Sequence, residues 1–233
     1  MYFGGEAGSG KSEVIKAVTT LASSWWLLDV LHKTAITGSA ACLIGGCTIH
    51  KLAQLLSNMA NVAVEDELKI VLPLIDEVSM LKRKENGKIS LHLRKKLDNH
   101  EEPMGGLSGI GYIGDLFQLP PVLPPIPVYH RVSERSAGTS IDDVGEYIWH
   151  ELLNTVILLE ENHRQSDPEL LRLCRAMRWG TLTAENLNIL NARVINPNTG
   201  VIPPVDCVTV FSTNEQVHAM NSVMVTTWEA CRG

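Results

Sequence analysis

Eight residues near the start of the chain, GEAGSGKS, combine glycines, a lysine and a hydroxyl in the spacing G-x-x-x-x-G-K-S. The glycines allow backbone N–H groups to turn inward around a phosphate, because no Cβ stands in the way. The lysine would place a point charge on the β- and γ-phosphates, and the final hydroxyl would ligate Mg²⁺. The pattern therefore predicts a site for a nucleoside triphosphate, formed by Gly5, Gly8, Ser9, Gly10, Lys11 and Ser12.

The residues around this loop have the periodicity that a phosphate loop requires. The three residues MYF form a short apolar segment before it, and Val14, Ile15, Val18 and Leu21 follow near helical spacing. A helix that begins at the loop adds its positive N-terminal end to the phosphate site. A glycine-rich turn that binds nothing is the alternative interpretation.

An acid pair, Asp76 and Glu77, follows the apolar segment KIVLPLI. Such a segment is typical of a central parallel strand that delivers side chains at its carboxyl end. In phosphate-loop enzymes an acid at this place helps to hold Mg²⁺, so Ser12 and Asp76 are the predicted metal ligands. Glu77 is then placed to take a proton from the attacking water, which favours hydrolysis. Two solvated acids at the start of a helix are the alternative.

The order of apolar segments predicts the fold class. After the first helix we expect a short strand at 34–37, the strand that ends at Asp76, and further strands within GLSGIGYIG, VILLEENHRQ and DCVTVF. Helical stretches lie between them, and this alternation indicates an α/β fold with a parallel sheet. We expect a helix after DCVTVF and a poorly ordered tail beyond about residue 220.

Composition excludes several classes of protein. The 233 residues are 45% apolar and 20% charged, with a net charge of −6, so a protein that coats nucleic acid by charge alone is disfavoured. The five cysteines include no C-x-x-C pair, and their odd number favours a reducing compartment. No apolar run approaches the roughly 18 residues of a membrane span, and no secretory signal is evident.

Six segments in this order resemble one family: GGEAGSGKS, TGSAACLIGGCTIH, LIDEVSM, GDLFQLPPV, LEENHRQ and FSTNEQVHAMN. They resemble the PIF-type (petite integration frequency) ATP-dependent DNA helicases, which are RecD-like members of superfamily I. The resemblance covers nearly the whole chain. It implies a RecA-like P-loop NTPase domain with a parallel sheet over residues 1–155, followed by the beginning of a second RecA-like domain over residues 156–233.

The resemblance also implies cofactors, partners and roles for residues. ATP and Mg²⁺ would bind at the phosphate loop, Gln118 would contact the γ-phosphate, and Arg164 would enter the cleft from the second domain like an arginine finger. With Glu77 as the base, these are the three expected catalytic residues. Single-stranded DNA would be bound by Thr37, Gly38, Thr48, His50, Thr213 and Asn214.

Each of these roles has a simpler alternative. Arg164 could be a surface residue, and His50 an ordinary polar residue near a helix start. Thr213 and Asn214 could cap a helix, which would not exclude contact with DNA. The basic run at 82–96 could be a solvated helix face and loop or could bind phosphate. The pair Trp25 and Trp26 could lie in the core or be partly buried at a helix end, or could stack on bases.

For the whole family the resemblance implies ATP hydrolysis coupled to translocation on single-stranded DNA and to unwinding. The implied processes are DNA repair, recombination and telomere maintenance, in the nucleus or the mitochondrion, and no membrane partner is expected. Family members carry adenine-gripping residues ahead of the loop and further motifs after the last segment, and we find neither here. We therefore expect a fragment with the chemistry of the first half, which cannot unwind DNA by itself. A nucleotide- or DNA-binding fragment without unwinding activity is the alternative.

Overall fold

The computed structural model describes residues 1–52, 54, 72–122, 126–131, 140–194 and 208–230. The strands of the described residues are β1 (Tyr2–Gly5), β2 (Leu31–Ala35), β3 (Cys47–Thr48), β4 (Leu72–Asp76), β5 (Gly111–Gly114) and β6 (Val156–Leu159). The α-helices are α1 (Lys11–Ser24), α2 (Gly38–Leu43), α3 (Arg83–Lys96), α4 (Ile141–His150), α5 (Pro168–Arg178), α6 (Ala184–Asn191) and α7 (Asn214–Ala230). Two compact units, Met1–Arg178 and Trp179–Gly233, make up the chain.

The first unit is built on one sheet of six strands in the order β3-β2-β4-β5-β1-β6. Every pair of neighbouring strands is parallel. The carboxyl ends of β1, β4, β5 and β6 therefore lie along one edge, which is where open α/β sheets bind their ligands. The predicted α/β class with a parallel sheet is confirmed.

Alternating side chains along the strands form a hydrophobic core on each face of the sheet. Leu74 and Ile113 pack in one core with Ile15 of α1. Their neighbours Ile75 and Tyr112 pack in the other core with Trp149 of α4. Since burial of each such side chain contributes about 1.5–3 kcal/mol, helices on both faces hold the sheet in a three-layer arrangement.

A close crossing of α3 and α4 supports the second core. A Cβ placed on Gly145 would lie 1.9 Å from the carbonyl oxygen of Arg83, so the two backbones touch. Arg83 is buried and pairs with Glu146 at 2.5 Å. Asn86 donates to the Gly145 carbonyl at 3.0 Å and accepts the hydroxyl of Tyr112 at 2.9 Å. This polar network fixes the register between the helices and the sheet.

Two predicted boundaries differ from the structure. The strand predicted at 34–37 is β2, which ends at Ala35, and Thr37 instead caps α2 by accepting the Ala40 N–H at 3.3 Å. The domain boundary predicted near residue 155 falls before β6, but β6 pairs with β1 in the main sheet and the units divide after Arg178. The strand hydrogen bonds of β6 are made with β1, within the first unit.

In the second unit the predicted helix is confirmed as α7, whereas the predicted strand and tail are not. The described part of the strand segment, 208–211, has no regular structure, and residues 206 and 207 lie outside the described residues. A strand needs a neighbour to accept its hydrogen bonds, and the described residues of this unit include none. The expectation that the chain is poorly ordered beyond about residue 220 is wrong, because α7 continues to Ala230.

Two further side-chain interpretations can be compared with the structure. The interpretation that the tryptophan pair is buried at a helix end is wrong, because Trp25 is 62% and Trp26 92% exposed. The basic run is a helix with Lys84 and Lys88 exposed, as a solvated face requires, but Arg83 of the same run is fully buried. Among the described helices, none is long and apolar enough to cross a membrane.

Candidate nucleotide-binding site

The phosphate loop connects the end of β1 to the start of α1, as predicted. Gly8 and Gly10 have φ angles of 88° and 93°, in the left-handed region that glycine enters without steric cost. A Cβ on Gly8 would also lie 2.6 Å from the Cβ of Arg164. Glycine is thus required here by conformation and by space.

Polar groups inside the loop are arranged to meet an anion. The Lys11 ammonium donates to the carbonyl oxygens of Gly5 and Glu6, both at 2.9 Å. The Ser9 hydroxyl is buried and has no hydrogen-bond partner among the described residues. Burial lowers the pKa of Lys11, while the carboxylate of Asp115 raises it in part. A phosphate would satisfy Ser9 and restore a negative partner to the ammonium.

The predicted acid pair lies at the same edge of the sheet. Asp76 ends β4, and Glu77 adopts a left-handed conformation with φ 57°. The Glu77 N–H donates to Asp76 Oδ1 at 2.9 Å. Burial raises the pKa of Asp76, and burial followed by the Asp76 charge raises the pKa of Glu77. A raised pKa makes Glu77 a stronger proton acceptor, which suits a general base.

A tight turn after β5, which we call the sensor turn (residues 115–118), carries Gln118. The Gln118 N–H donates to the Asp115 carbonyl at 2.9 Å, and the Phe117 N–H donates to Asp115 Oδ1 at 3.1 Å. Gln118 is half-buried and borders two cavities. One, of about 880 Å³, contains Lys11 and Glu77. The other, of about 530 Å³, lies beside Thr37.

The segment after β6 packs directly on the phosphate loop. The Asn162 side chain donates to the Ala7 carbonyl at 2.8 Å and accepts the Arg164 N–H at 3.1 Å. The His163 N–H donates to the Gly8 carbonyl at 2.9 Å. Arg164 lines the larger cavity and is exposed. The expectation that Arg164 enters from the second domain is corrected, because its segment belongs to the unit that carries the loop.

Two arginines of α5, which were not among the predicted site residues, complete the cavity. Arg175 Nε donates to both carboxylate oxygens of Glu6, at 3.1 and 3.2 Å. Arg178 donates to both carboxylate oxygens of Asp115, at 2.6 and 2.7 Å. Their spacing of three residues on an amphipathic helix was a detectable signal of a shared face. Their acidic partners, distant in sequence, were not detectable.

The predicted DNA-binding residues of the first unit lie at the start of α2 and at the start of a helical segment that begins at residue 49, after β3. Thr37 caps α2, Gly38 is its exposed first residue, and the Thr48 hydroxyl accepts the Lys51 N–H at 3.3 Å. His50 is exposed and pairs with Glu85 at 3.1 Å, so it is a satisfied polar residue at a helix start. Thr37 and Thr48 are half-buried, and the contact of all four positions with DNA stays a prediction.

The predicted DNA-binding residues of the second unit also mark a helix start. The Thr213 hydroxyl accepts the Gln216 N–H at 3.4 Å, and Asn214 is the first residue of α7. Both side chains are exposed. The capping alternative for this pair therefore matches the geometry, without excluding a role in binding DNA.

The cavity suits a nucleotide with Mg²⁺. Its volume of about 880 Å³ lies within the range of small-molecule sites, roughly 300–1,000 Å³. In the part of the chain that the structure describes, no group of three or more histidine, cysteine or acidic residues could hold a metal by itself. Mg²⁺ is commonly held by one or two protein groups together with substrate phosphates, and Ser12 and Asp76 border the same cavity.

Comparisons of sequence and of structure with known proteins point to the same family. The PIF1-like helicase family matches residues 1–175. The ATP-dependent DNA helicase RRM3 of Saccharomyces cerevisiae is 27% identical over 238 residues, covering 95% of this chain and 30% of the yeast protein. The ATP-dependent DNA helicase PIF1 of Danio rerio is 30% identical over 196 residues, covering 79% of this chain and 28% of that protein.

Solved structures share the fold. The crystal structure of Pif1 helicase from Candida albicans superposes with a TM-score of 0.72 at 23% identity, covering 97% of this chain and 50% of the other. Bacteroides Pif1 bound to single-stranded DNA gives a TM-score of 0.65 at 22% identity, covering 95% and 52%. The chain therefore spans about 30% of the two curated relatives and about half of these solved chains.

Proposed function

The chain belongs to the PIF1-like helicase family, and from this premise we propose that it binds ATP with Mg²⁺ and hydrolyses the nucleotide. One observation carries the proposal. Lys11, Glu77 and Gln118 come from three different strand ends and border the same cavity. A phosphate cradle, a base with a raised pKa and a half-buried amide in one cavity are the parts that hydrolysis of a triphosphate needs.

Binding is assigned to the phosphate loop. The loop N–H groups and the Lys11 ammonium hold the phosphates, and the positive end of α1 adds to their field. Ser12 and Asp76 would hold Mg²⁺, which would supply positive charge to the phosphates. The carbonyl oxygens that accept from Lys11 limit its freedom, so the ammonium is already directed into the loop.

Catalysis is assigned to three side chains. Glu77 accepts the proton of the attacking water, and its raised pKa strengthens it as a base. Gln118 reports the presence of the γ-phosphate from its position between the two cavities. Arg164 offers a positive charge to the transferring group, because it lines the cavity and lies against Gly8 of the loop.

The DNA partner is part of the same proposal. The curated relatives are named ATP-dependent DNA helicases, and one solved relative is bound to single-stranded DNA. We assign single-stranded DNA to the helix-start residues Thr37, Gly38, Thr48, His50, Thr213 and Asn214. Translocation, unwinding and roles in repair, recombination and telomere maintenance in the nucleus are proposed for the whole protein.

Phosphate release with and without single-stranded DNA tests the proposal. We expect Mg²⁺-dependent release that DNA stimulates, and none from Lys11→Ala, since the ammonium is the charged group inside the loop. Unchanged release by Lys11→Ala would refute the assignment of the loop. A forked duplex in the same reaction separates turnover from unwinding: ATP-dependent strand separation would contradict a fragment limited to turnover.

A further inference from the structure

Arg178, the last residue of the first unit, is joined to the sensor turn by a bidentate ion pair. Its two terminal nitrogens donate to the two carboxylate oxygens of Asp115 at 2.6 and 2.7 Å. The Arg178 side chain is 19% exposed and that of Asp115 is 2% exposed. Two parallel hydrogen bonds fix both the distance and the orientation of the partners, which a single bond would not do.

The same guanidinium also lies over an aromatic ring of the turn. Its central carbon is 4.4 Å from the centroid of the Phe117 ring. Asp115 in turn accepts the N–H of Phe117 with its side chain and the N–H of Gln118 with its carbonyl. Arg178 therefore restrains the turn at two of the three residues that precede Gln118.

We propose that Arg178 is a positioning residue for γ-phosphate recognition: through Asp115 it orients the sensor turn that carries Gln118, and it neutralises the Asp115 charge in the nucleotide cavity. Arg178 is the last residue of α5 and of the first unit, so the whole device lies within the unit that carries the nucleotide cavity. This inference rests on the proposed nucleotide site and adds a device that controls it.

The charge of Asp115 determines which nucleotide should bind more weakly when Arg178 is removed. Asp115 and Lys11 border the same cavity, and Asp115 is the strongest of the charged neighbours that stabilise the Lys11 ammonium. Paired with Arg178, the carboxylate adds no net charge. Left unpaired, it would add a negative charge beside the phosphates, which repels a triphosphate more than a diphosphate.

Asp115 differs in this respect from the acid pair of β4. Burial alone would raise the pKa of Asp115, but the hydrogen bonds from Arg178 and from the Phe117 N–H outweigh burial and lower it. The pKa values of Asp76 and Glu77 are raised. Asp115 thus stays ionised with its oxygens already bonded, so its role is to hold the turn and not to ligate Mg²⁺.

Nucleotide titration separates this role from a general structural one. Affinities for ATPγS and for ADP, each with Mg²⁺, are measured by calorimetry on the full chain. For Arg178→Ala we expect ATPγS to weaken by about 5- to 150-fold, the usual range of site coupling, and ADP by less than about twofold. Arg178→Lys should fall between, since an ammonium keeps the charge but loses the bidentate geometry. Asp115→Asn with Arg178→Met should recover part of the ATPγS affinity, because it removes both charges.

A matched control uses another buried arginine pair of this unit, Arg83 with Glu146. Glu146→Gln weakens the pair with Arg83, which lies away from the cavity, and it should lower stability without changing the ratio of the two affinities. Hydrogen exchange on the free chain gives a second readout. The amides of Phe117 and Gln118 should exchange faster in Arg178→Ala and at the wild-type rate in Glu146→Gln.

The outcomes distinguish the inference from the proposed function. If wild type prefers ATPγS and Arg178→Ala keeps that preference within about twofold, the inference is overturned and the nucleotide site stands. Equal weakening of ATPγS and ADP also overturns it, since the role would then be structural. If wild type binds neither nucleotide, the proposed function itself fails, and the inference fails with it.

Discussion

Replacing Gly8 by alanine tests whether the segment after β6 closes on the phosphate loop. Gly8 has a φ of 88°, and an added Cβ would lie 2.6 Å from the Cβ of Arg164 and 2.9 Å from Asn162 Oδ1. The first of these atoms is bonded directly to the backbone, so rotation of a side chain cannot relieve the contact. The loop or the segment must move.

The magnitude follows from two costs. A non-glycine residue in the left-handed region costs about 1–2 kcal/mol. Forcing an extra carbon into a filled space costs a further ~1–3 kcal/mol. We therefore expect Gly8→Ala to lower the free energy of unfolding by about 2–5 kcal/mol. Because Arg164 would be displaced on the order of 1 Å, kcat for phosphate release should fall by about 100-fold.

Gly45→Ala is the matched control. Gly45 also has a positive φ, of 61°, but its added Cβ would meet only the flexible end of Lys33, at 3.6 Å. This variant should lose only the conformational cost, about 1–2 kcal/mol, and should keep its turnover. Urea unfolding followed by intrinsic fluorescence measures the stability, and phosphate release at saturating ATP measures kcat.

The comparison between the two variants decides the question. Gly8→Ala with the stability and turnover of Gly45→Ala would show that the segment does not contact the loop, and the position of Arg164 in the cavity would have to be abandoned. A loss of stability without a loss of kcat would keep the contact but remove the arginine from catalysis.

Four other predictions concern the same site. Glu77→Gln should reduce turnover by about 10²- to 10⁴-fold while nucleotide still binds; turnover near the wild-type rate would exclude Glu77 as the base. Because the pKa of Glu77 is raised in the folded chain, its charge opposes folding at neutral pH, so the same variant should unfold at an equal or higher urea concentration than wild type. The base must be ionised, so turnover should fall as the pH falls through the raised pKa of Glu77, which lies above the ordinary value of 4.5. If turnover falls only at pH 4.5 or below, the raised pKa is contradicted. Asn162→Ala removes the donor to the Ala7 carbonyl and should raise KM by about fivefold with a smaller change in kcat, since a hydrogen bond contributes ~1 kcal/mol; an unchanged KM would refute this role.

Features that depend on residues close together in sequence were predictable. The phosphate loop was predicted because its glycines, lysine and hydroxyl act within eight residues. The acid pair was predicted because an apolar strand ends directly before Asp76. The parallel sheet followed from the alternation of apolar segments with helices. In each case one local pattern carries the physical requirement.

Features that depend on distant pairs were not predictable from one sequence. The partners Asp115 and Arg178 lie 63 residues apart, and Glu6 and Arg175 lie 169 apart. Nothing local distinguishes these arginines from solvated ones. Thr37 shows a different difficulty, since a β-branched residue favours a strand and a threonine hydroxyl favours a helix cap. In the structure the Thr37 hydroxyl accepts a hydrogen bond from the Ala40 N–H, so Thr37 is a helix cap.

Two buried polar groups in the frame of the first unit have hydrogen-bond partners, whereas two groups of the cavity are in unfavourable states. Buried Thr34 donates to the Leu74 carbonyl at 2.8 Å, and Asn86 has both a donor and an acceptor partner. In the cavity, Glu77 holds a left-handed conformation, its pKa is raised, and the Ser9 hydroxyl has no partner among the described residues. Groups that are unfavourable in the free chain become favourable when a cation and a phosphate reach them. ATP with Mg²⁺ should therefore stabilise the first unit, and the gain should shrink in Glu77→Gln, because the unfavourable charge is already absent from that variant.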